Sequence, residues 1–167
     1  MSGRPTRVVG IDPGPTPGVV RLTFDQAAGG RLVEHDVVQC SAGVLPVLLP
    51  ALLEDLGPDD VVAVERFVTR GRLNTAQQIT AAQVVQVEQL CQLSGYLPRG
   101  GVVHLRSAGQ VKPWATDARL DRLGGKHGGL LKALAGMQHA RDAARHALFA
   151  AVRDAGIPDP MSKEFRQ

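Results

Sequence analysis

An α/β fold built on a mixed sheet is predicted for this chain, and three observations predict it. Short apolar runs recur at Arg7–Ile11, Gly18–Phe24, Arg31–Val38, Val61–Val64 and Gly101–Leu105. The first three are joined by links too short for anything but turns, which makes an antiparallel meander. The later ones are separated by helical stretches. The order is three strands, helix, strand, long helix, strand and helices, which suits one sheet with helices on its faces.

The first strand runs into Asp12-Pro13-Gly14-Pro15-Thr16-Pro17, a turn-forming stretch, and the second begins at Gly18. Gly18–Phe24 alternates, with Val20, Leu22 and Phe24 on one side and Val19, Arg21 and Thr23 on the other. A turn at Ala27-Ala28-Gly29-Gly30 leads into the third strand. Gly43–Leu56 reads as a helix with Pro46 or Pro50 in its first turn and Gly57-Pro58 as its stop. Val61–Val64 is a continuous apolar run suited to a buried strand, and it ends in Glu65. Asn74 caps a long helix to Ser94, with Gly95 as the stop. That helix holds six glutamines, and its only ionisable groups are Glu88 and Cys91. Apolar residues wrap around it, so it is expected to be buried on two sides, by the core and by a partner subunit. Arg106–Leu123 mixes basic residues with Trp114, Gly124–Gly129 is a glycine-rich loop, and a short helix covers Leu130–Leu134. Gln138–Arg153 is an alanine-rich last helix. Residues 157–167 carry two prolines and read as a flexible tail behind a single domain over residues 1–156.

Composition narrows the function classes. The chain of 167 residues has an ordinary apolar content, and its longest apolar run, Val44 to Leu53, is broken by two prolines. A bilayer needs about 20 apolar residues, so no membrane role is expected. The N-terminus lacks an apolar secretory core, and Cys40 and Cys91 have no metal-ligand spacing. Both read as reduced thiols of a cytoplasmic protein. The net charge of +3 is unevenly spread. Residues 1–60 carry 4 basic and 8 acidic side chains, whereas residues 61–132 carry 10 and 4. The middle of the chain is therefore the part that suits a nucleic-acid backbone.

Two apolar strands end in an acid, Asp12 and Glu65. A carboxylate at the end of a buried strand is costly unless it is paired or binds a metal. On its own stretch, Asp12 is equally explained as a turn aspartate. The last helix supplies the deciding pattern, His139-Ala140-Arg141-Asp142-Ala143-Ala144-Arg145-His146. At 100° per residue, His139, Asp142 and His146 share one narrow arc, and the alanines let that helix lie close to a sheet. Parallel neighbouring strands would bring Asp12 and Glu65 together, and a helix packed across them would add His139 and Asp142. Four oxygen or imidazole donors in one cleft suit a divalent cation.

Taken in order, Gly10-Ile11-Asp12-Pro13-Gly14, Val64-Glu65-Arg66-Phe67 and His139 to Leu148 resemble the RuvC-type Holliday-junction resolvases of the ribonuclease H-like superfamily. The resemblance runs from Val8 to about Val152, and Lys112-Pro113-Trp114-Ala115-Thr116-Asp117 looks most like the resolvases of actinobacterial phages. It implies a ribonuclease H-like mixed five-stranded sheet flanked by helices. It implies a metal-dependent endonuclease that resolves four-way junctions by paired phosphodiester hydrolysis. Asp12, Glu65, His139 and Asp142 match the catalytic metal ligands, for two Mg²⁺ or Mn²⁺ ions per site. His139 departs from the commoner aspartate and leaves the set one negative charge poorer, which is expected to favour manganese. His146 is assigned a supporting position or simply a place on the helix face. Arg66, Phe67, Arg70, Arg72, Lys112, Arg119 and Lys126 are the candidate DNA contacts, with Phe67 placed to stack on an unpaired base and Lys112 and Lys126 to stabilise phosphate charge. The 74–94 helix matches the family's homodimer interface. The alternatives are a branched- or flap-DNA endonuclease of the same superfamily and a non-catalytic junction-binding module. A sugar-kinase or actin-like ATPase, suggested by Gly10–Thr16, needs a second such domain and a second phosphate loop, and the chain is too short for them.

Overall fold

The computed structural model describes residues 4–67, 71–93, 103–123 and 128–162. Strands β1 (Thr6–Asp12), β2 (Gly18–Asp25) and β3 (Arg31–Gln39) form the expected meander. Helix α1 (Leu45–Leu53) leads to β4 (Val61–Glu65), and α2 (Thr75–Leu93) leads to β5 (His104–Arg106). Two short helices follow, α3 (Ala108–Val111) and α4 (Asp117–Leu120). A single 3-10 turn (Asp121–Leu123), α5 (Gly128–Ala133) and α6 (Gln138–Arg153) complete the chain. The sheet order is β3-β2-β1-β4-β5, with β1 antiparallel to β2 and parallel to β4, and β4 parallel to β5. This is the mixed five-stranded α/β sheet expected from the sequence.

Each face of the sheet has its own core, because alternate residues of a strand point to opposite faces. Val9, Ile11, Val19, Val62 and Val64 pack with Leu45, Leu49, Leu53, Val87 and Cys91 from α1 and α2. Val8, Val20, Leu22 and Ala63 pack with α6 and with Leu120, Leu123, Leu130 and Leu134. Of the two prolines offered for the start of α1, Pro46 takes the first turn and Pro50 lies inside the helix. Burial, with Glu88 nearby, pushes the Cys91 thiol up to about 11, so it behaves as an inert core group. Among the described residues no helix is long and apolar enough to cross a membrane.

One expectation needs correction. The tail is not loose at its start: Ile157 and Met161 are buried in the α6-side core, and the backbone N–H of Ile157 donates to the Ala151 carbonyl. These two apolar side chains have sheet-side core to enter, and the prolines between them shape the turn instead of freeing it. Residues 163–167 lie outside the described residues. Helix α2 buries the side expected to face the core, through Thr80, Gln83, Val87 and Cys91. Its opposite side, Thr75, Gln78, Ala82, Val85, Gln89 and Gln92, is exposed.

Helix α6 lies on β1 and β2 at backbone contact distance, and two glycines make that possible. A Cβ on Gly10 would stand 2.1 Å from the Ala143 carbonyl oxygen and 2.7 Å from the Ala147 nitrogen. One on Gly18 would stand 2.2 Å from the His139 carbonyl carbon. The helix contributes only small residues here, Ala140, Ala143, Ala144 and Ala147, all fully buried. Gly10→Ala is therefore expected to destabilise the fold by at least the ~1–3 kcal/mol typical of an overpacked core, because the atoms in the way are backbone. Gly14→Ala is the control, since its Cβ would meet only Thr80 Oγ1 at 3.8 Å. Urea unfolding of the two variants checks this, and equal midpoints would show that α6 can lift away freely.

Candidate active site

The parallel pairing of β1 and β4 puts Ile11 opposite Val64, so Asp12 and Glu65 end side by side at the C-terminal ends of these two inner strands, on one rim of the sheet. Helix α6 starts over that rim. Its own cap residue, Met137, supplies no side-chain hydrogen bond. Instead Gln39, the last residue of β3, accepts from the backbone N–H groups of His139 (2.9 Å) and Ala140 (3.3 Å). That contact satisfies two of the helix's orphan donors and fixes where His139 starts.

From this start, α6 lays three polar side chains along the acids. His139 Nδ1 lies 2.8 Å from Asp12 Oδ2. Two turns later the buried His146 reaches Glu65, with Nε2 3.2 Å from Oε2. Asp142, between them, is turned toward cations: Lys112 Nζ donates to its Oδ2 at 3.0 Å, Gln138 Nε2 donates to the same oxygen at 3.3 Å, and Arg145 donates to Oδ1. Arg145 is itself buried and also donates to the Ala115 carbonyl (3.0 Å) and to Asp117. On the β1 side, Gln83 of α2 accepts from the Gly14 backbone N–H at 2.7 Å and so ties α2 to the turn beyond Asp12.

The electrostatics of the two aspartates differ. Burial, with Glu65 and Asp142 adding repulsion, pushes Asp12 up to about 6, although the contact with His139 works against the rise. Burial also acts to raise Asp142, but Lys112 and Arg145 outweigh it and hold its carboxyl below the usual range. Asp12 is thus a buried acid with too little positive charge beside it, which is the condition a bound cation would relieve. The donor types of Asp12, Glu65, His139 and Asp142 fit a divalent ion chemically. Among the described residues, however, no three His, Cys, Asp or Glu side chains close around a single point. The acids are held as His139–Asp12 and His146–Glu65 pairs, with Asp142 drawn aside.

The remaining sequence candidates fall in different places. Lys112 is half exposed and sits on Asp142. Arg66 and Arg72 are exposed, and Phe67 is half-buried just beyond Glu65. The Arg119 guanidinium packs over the Trp114 ring, 4.3 Å from the centroid, and pairs with Asp159, so it braces the C-terminal segment against α4. Arg70, Lys126 and most of the glycine-rich loop lie outside the described residues. Sequence reasoning missed Arg145, Gln39 and Gln83. The i,i+3 spacing of Asp142 and Arg145 was a usable signal. Gln39 and Gln83 act across 100 and 69 positions of chain, and nothing local marks them.

No family model matches the chain, and no curated protein matches it. A search of solved structures matches T. thermophilus RuvC in complex with a Holliday junction substrate, at 19% identity and a TM-score of 0.51. The match covers 89% of this chain and 97% of that one. The fold is that of RuvC. The ribonuclease H-like architecture expected from the motifs is thus present over nearly the whole chain.

The raised Asp12 makes stability depend on pH in a defined direction. The folded state keeps this proton up to about pH 6, whereas the unfolded chain releases it near 3.8. Across that window the folded state binds more protons, so the contribution is full below pH 4 and is lost as pH rises through 6. Asp12→Asn is expected to raise metal-free stability above pH 6 by about 2–3 kcal/mol, and to leave it unchanged below pH 4. Thermal melts from pH 4 to 7.5 in the presence of a chelator check this, and parallel curves for the two proteins would contradict it.

Proposed function

We propose that this protein is a divalent-metal-dependent endonuclease that resolves four-way DNA junctions by paired phosphodiester hydrolysis. The observation that carries this reading is the meeting of Asp12, Glu65, His139 and His146 on one rim of the sheet, in a fold shared with a protein solved on a Holliday junction. Asp12, Glu65, His139 and Asp142 would hold magnesium or manganese, two ions per site, which when bound would lower the pKa of a water and stabilise the leaving oxygen. Gln39 holds the start of α6 so that His139 stays on Asp12, and His146 holds Glu65 from the buried side. Arg145 fixes one oxygen of Asp142 and leaves the other on the open side with Lys112. Lys112 is then the cation beside an incoming phosphate. Phe67, with Arg66 and Arg72 close to it in sequence, is assigned to the junction centre, where an aromatic stacks on an unpaired base for about 1–3 kcal/mol.

A four-way junction has near two-fold symmetry, so paired cuts call for two active sites related by a two-fold axis. We assign the uncharged outer side of α2 to that homodimer contact. Its Val85 is 51% exposed, and Gln78, Ala82, Gln89 and Gln92 surround it without a charge. The motif from Lys112 to Asp117 supports a phage-type resolvase, and the two free thiols, Cys40 and Cys91, suit a cytoplasmic setting.

Cleavage of a synthetic mobile junction, run beside flap, splayed-arm and linear substrates with Mg²⁺ or Mn²⁺, tests the reading. The expected result is symmetric paired nicks on the junction, reduced at least about 100-fold in Asp12→Asn, since even the outer partners of metal ligands cost 10–100-fold. Equal cutting of flaps would make it a general branched-DNA nuclease, and tight binding without cutting would make it a junction-binding module. A second prediction concerns assembly. Glutamates at Ala82 and Val85 are expected to weaken the dimer at least about tenfold, or 1.4 kcal/mol, in light scattering across a concentration series. An unchanged dimer would move the interface elsewhere.

A further inference from the structure

Beside Asp142 a cleft of about 620 Å³ opens between the α3–α4 segment and the start of α6. It is lined by Lys112, Thr116, Asp117, Gln138, Arg141 and Arg145. Among these described residues three are cationic and one, Asp117, is acidic. The positive charge is built in, because Arg145 is buried and held at three points by Asp142, Asp117 and the Ala115 carbonyl. Arg141 reaches the same Asp117 oxygen through Nε (3.1 Å) and Nη2 (3.0 Å) and remains 29% exposed toward solvent. Asp117 itself is 69% exposed. Asp142 answers Arg145 from its buried side, whereas Arg141 meets only Asp117 and, at 3.7 Å, Asp121, both well exposed; water-exposed carboxylates give weak and easily screened compensation. The cleft thus holds one forked guanidinium, Arg141, whose present anions, Asp117 and Asp121, are surface side chains.

We infer that this cleft seats a backbone phosphate of the DNA strand entering the active site, with Arg141 as the group that touches it and Asp117 as the internal anion it displaces. The inference rests on the junction-binding reading above and adds a contact which that reading does not contain. Continuity with the site supports it: Lys112 and Gln138 line the cleft and also donate to Asp142, and Gln138 is followed directly by His139. A strand running from Asp12 and His139 past Gln138 would meet the cleft next. Arginine suits this role because its planar fork pairs with phosphate oxygens in a bidentate way.

The test is equilibrium binding of a fluorescent four-way junction over a KCl series, with a chelator present so that no cleavage occurs. Removing a single phosphate-binding cation should make the slope of log K against log salt shallower by about 0.9. Arg141→Gln is expected to show that change, and Arg141→Lys to keep most of the wild-type slope. Arg31→Gln, at the far end of the sheet where β2 pairs with β3, is expected to match wild type. Asp117→Asn is expected to tighten junction binding at low salt, because the competing anion is gone. Melting curves show whether each variant is folded. Wild-type slope and affinity in both Arg141→Gln and Asp117→Asn would overturn the cleft assignment alone. A wild-type protein that fails to bind the junction at any salt would overturn the functional reading and the cleft with it.

Discussion

The close seat of α6 on β1 and β2 is the constraint on which the rest of the structure depends. Two glycines and a row of alanines let backbone meet backbone, with no side chain between. A larger residue at Gly10 or Gly18 would lift the helix, and with it His139 and His146. The separation of those histidines from Asp12 and Glu65 is a hydrogen-bond length, so a displacement of about one ångström would break both pairs. Packing density here serves the geometry of the site as much as the stability of the fold. Gln39 completes the seat by capping a helix that has no cap of its own.

The charge arrangement follows from that seat. Asp12 comes from the first 60 residues, where acids outnumber bases, Glu65 stands at the start of the basic middle, and the cations around Asp142 come from that middle and from α6. Lys112, Asp142, Arg145, Asp117 and Arg141 form a line of alternating sign along the open side of the site. Asp12 stands at the end of that line, where desolvation is strong and His139 answers it only in part. The result is a polarised cleft, short of positive charge at the sheet rim and rich in it toward α4. Such a field suits a cation at one end and a polyanion at the other.

Helix α2 joins two parts of the molecule that the sequence treats separately. Its inner side packs on the core through Val87 and Cys91 and reaches the turn after Asp12 through Gln83. Its outer side is uncharged over more than four turns. Any partner seated on that outer side rests on the same helix that steadies Asp12. The glutamine amides keep that exposed side polar without giving it charge.

The strands, the two long helices and the four acid or imidazole positions were legible in the sequence, because each follows from local periodicity or from spacing along one helix. Arg7–Ile11 and Gly18–Phe24 alternate or run apolar, and Asp12 and Glu65 stand where apolar strands stop. The 16 residues of α6 declare their own arc, which put His139, Asp142 and His146 together before any fold was known. What the sequence could not determine was who pairs with whom across the chain. The turn of Asp142 toward Lys112, the grip of Arg145 on the 115–117 segment and the cap from Gln39 depend on side-chain reach between elements 30 to 100 positions apart. The same holds for the contacts of Arg119 with Trp114 and Asp159. Ile157 and Met161 looked like tail residues because two apolar side chains among prolines carry no period, and only the finished core offered them a place. Sequence alone determined which chemistry the chain carries and on which elements. Tertiary structure decided which charges are answered, because desolvation and ion pairing depend on distances that no local pattern encodes.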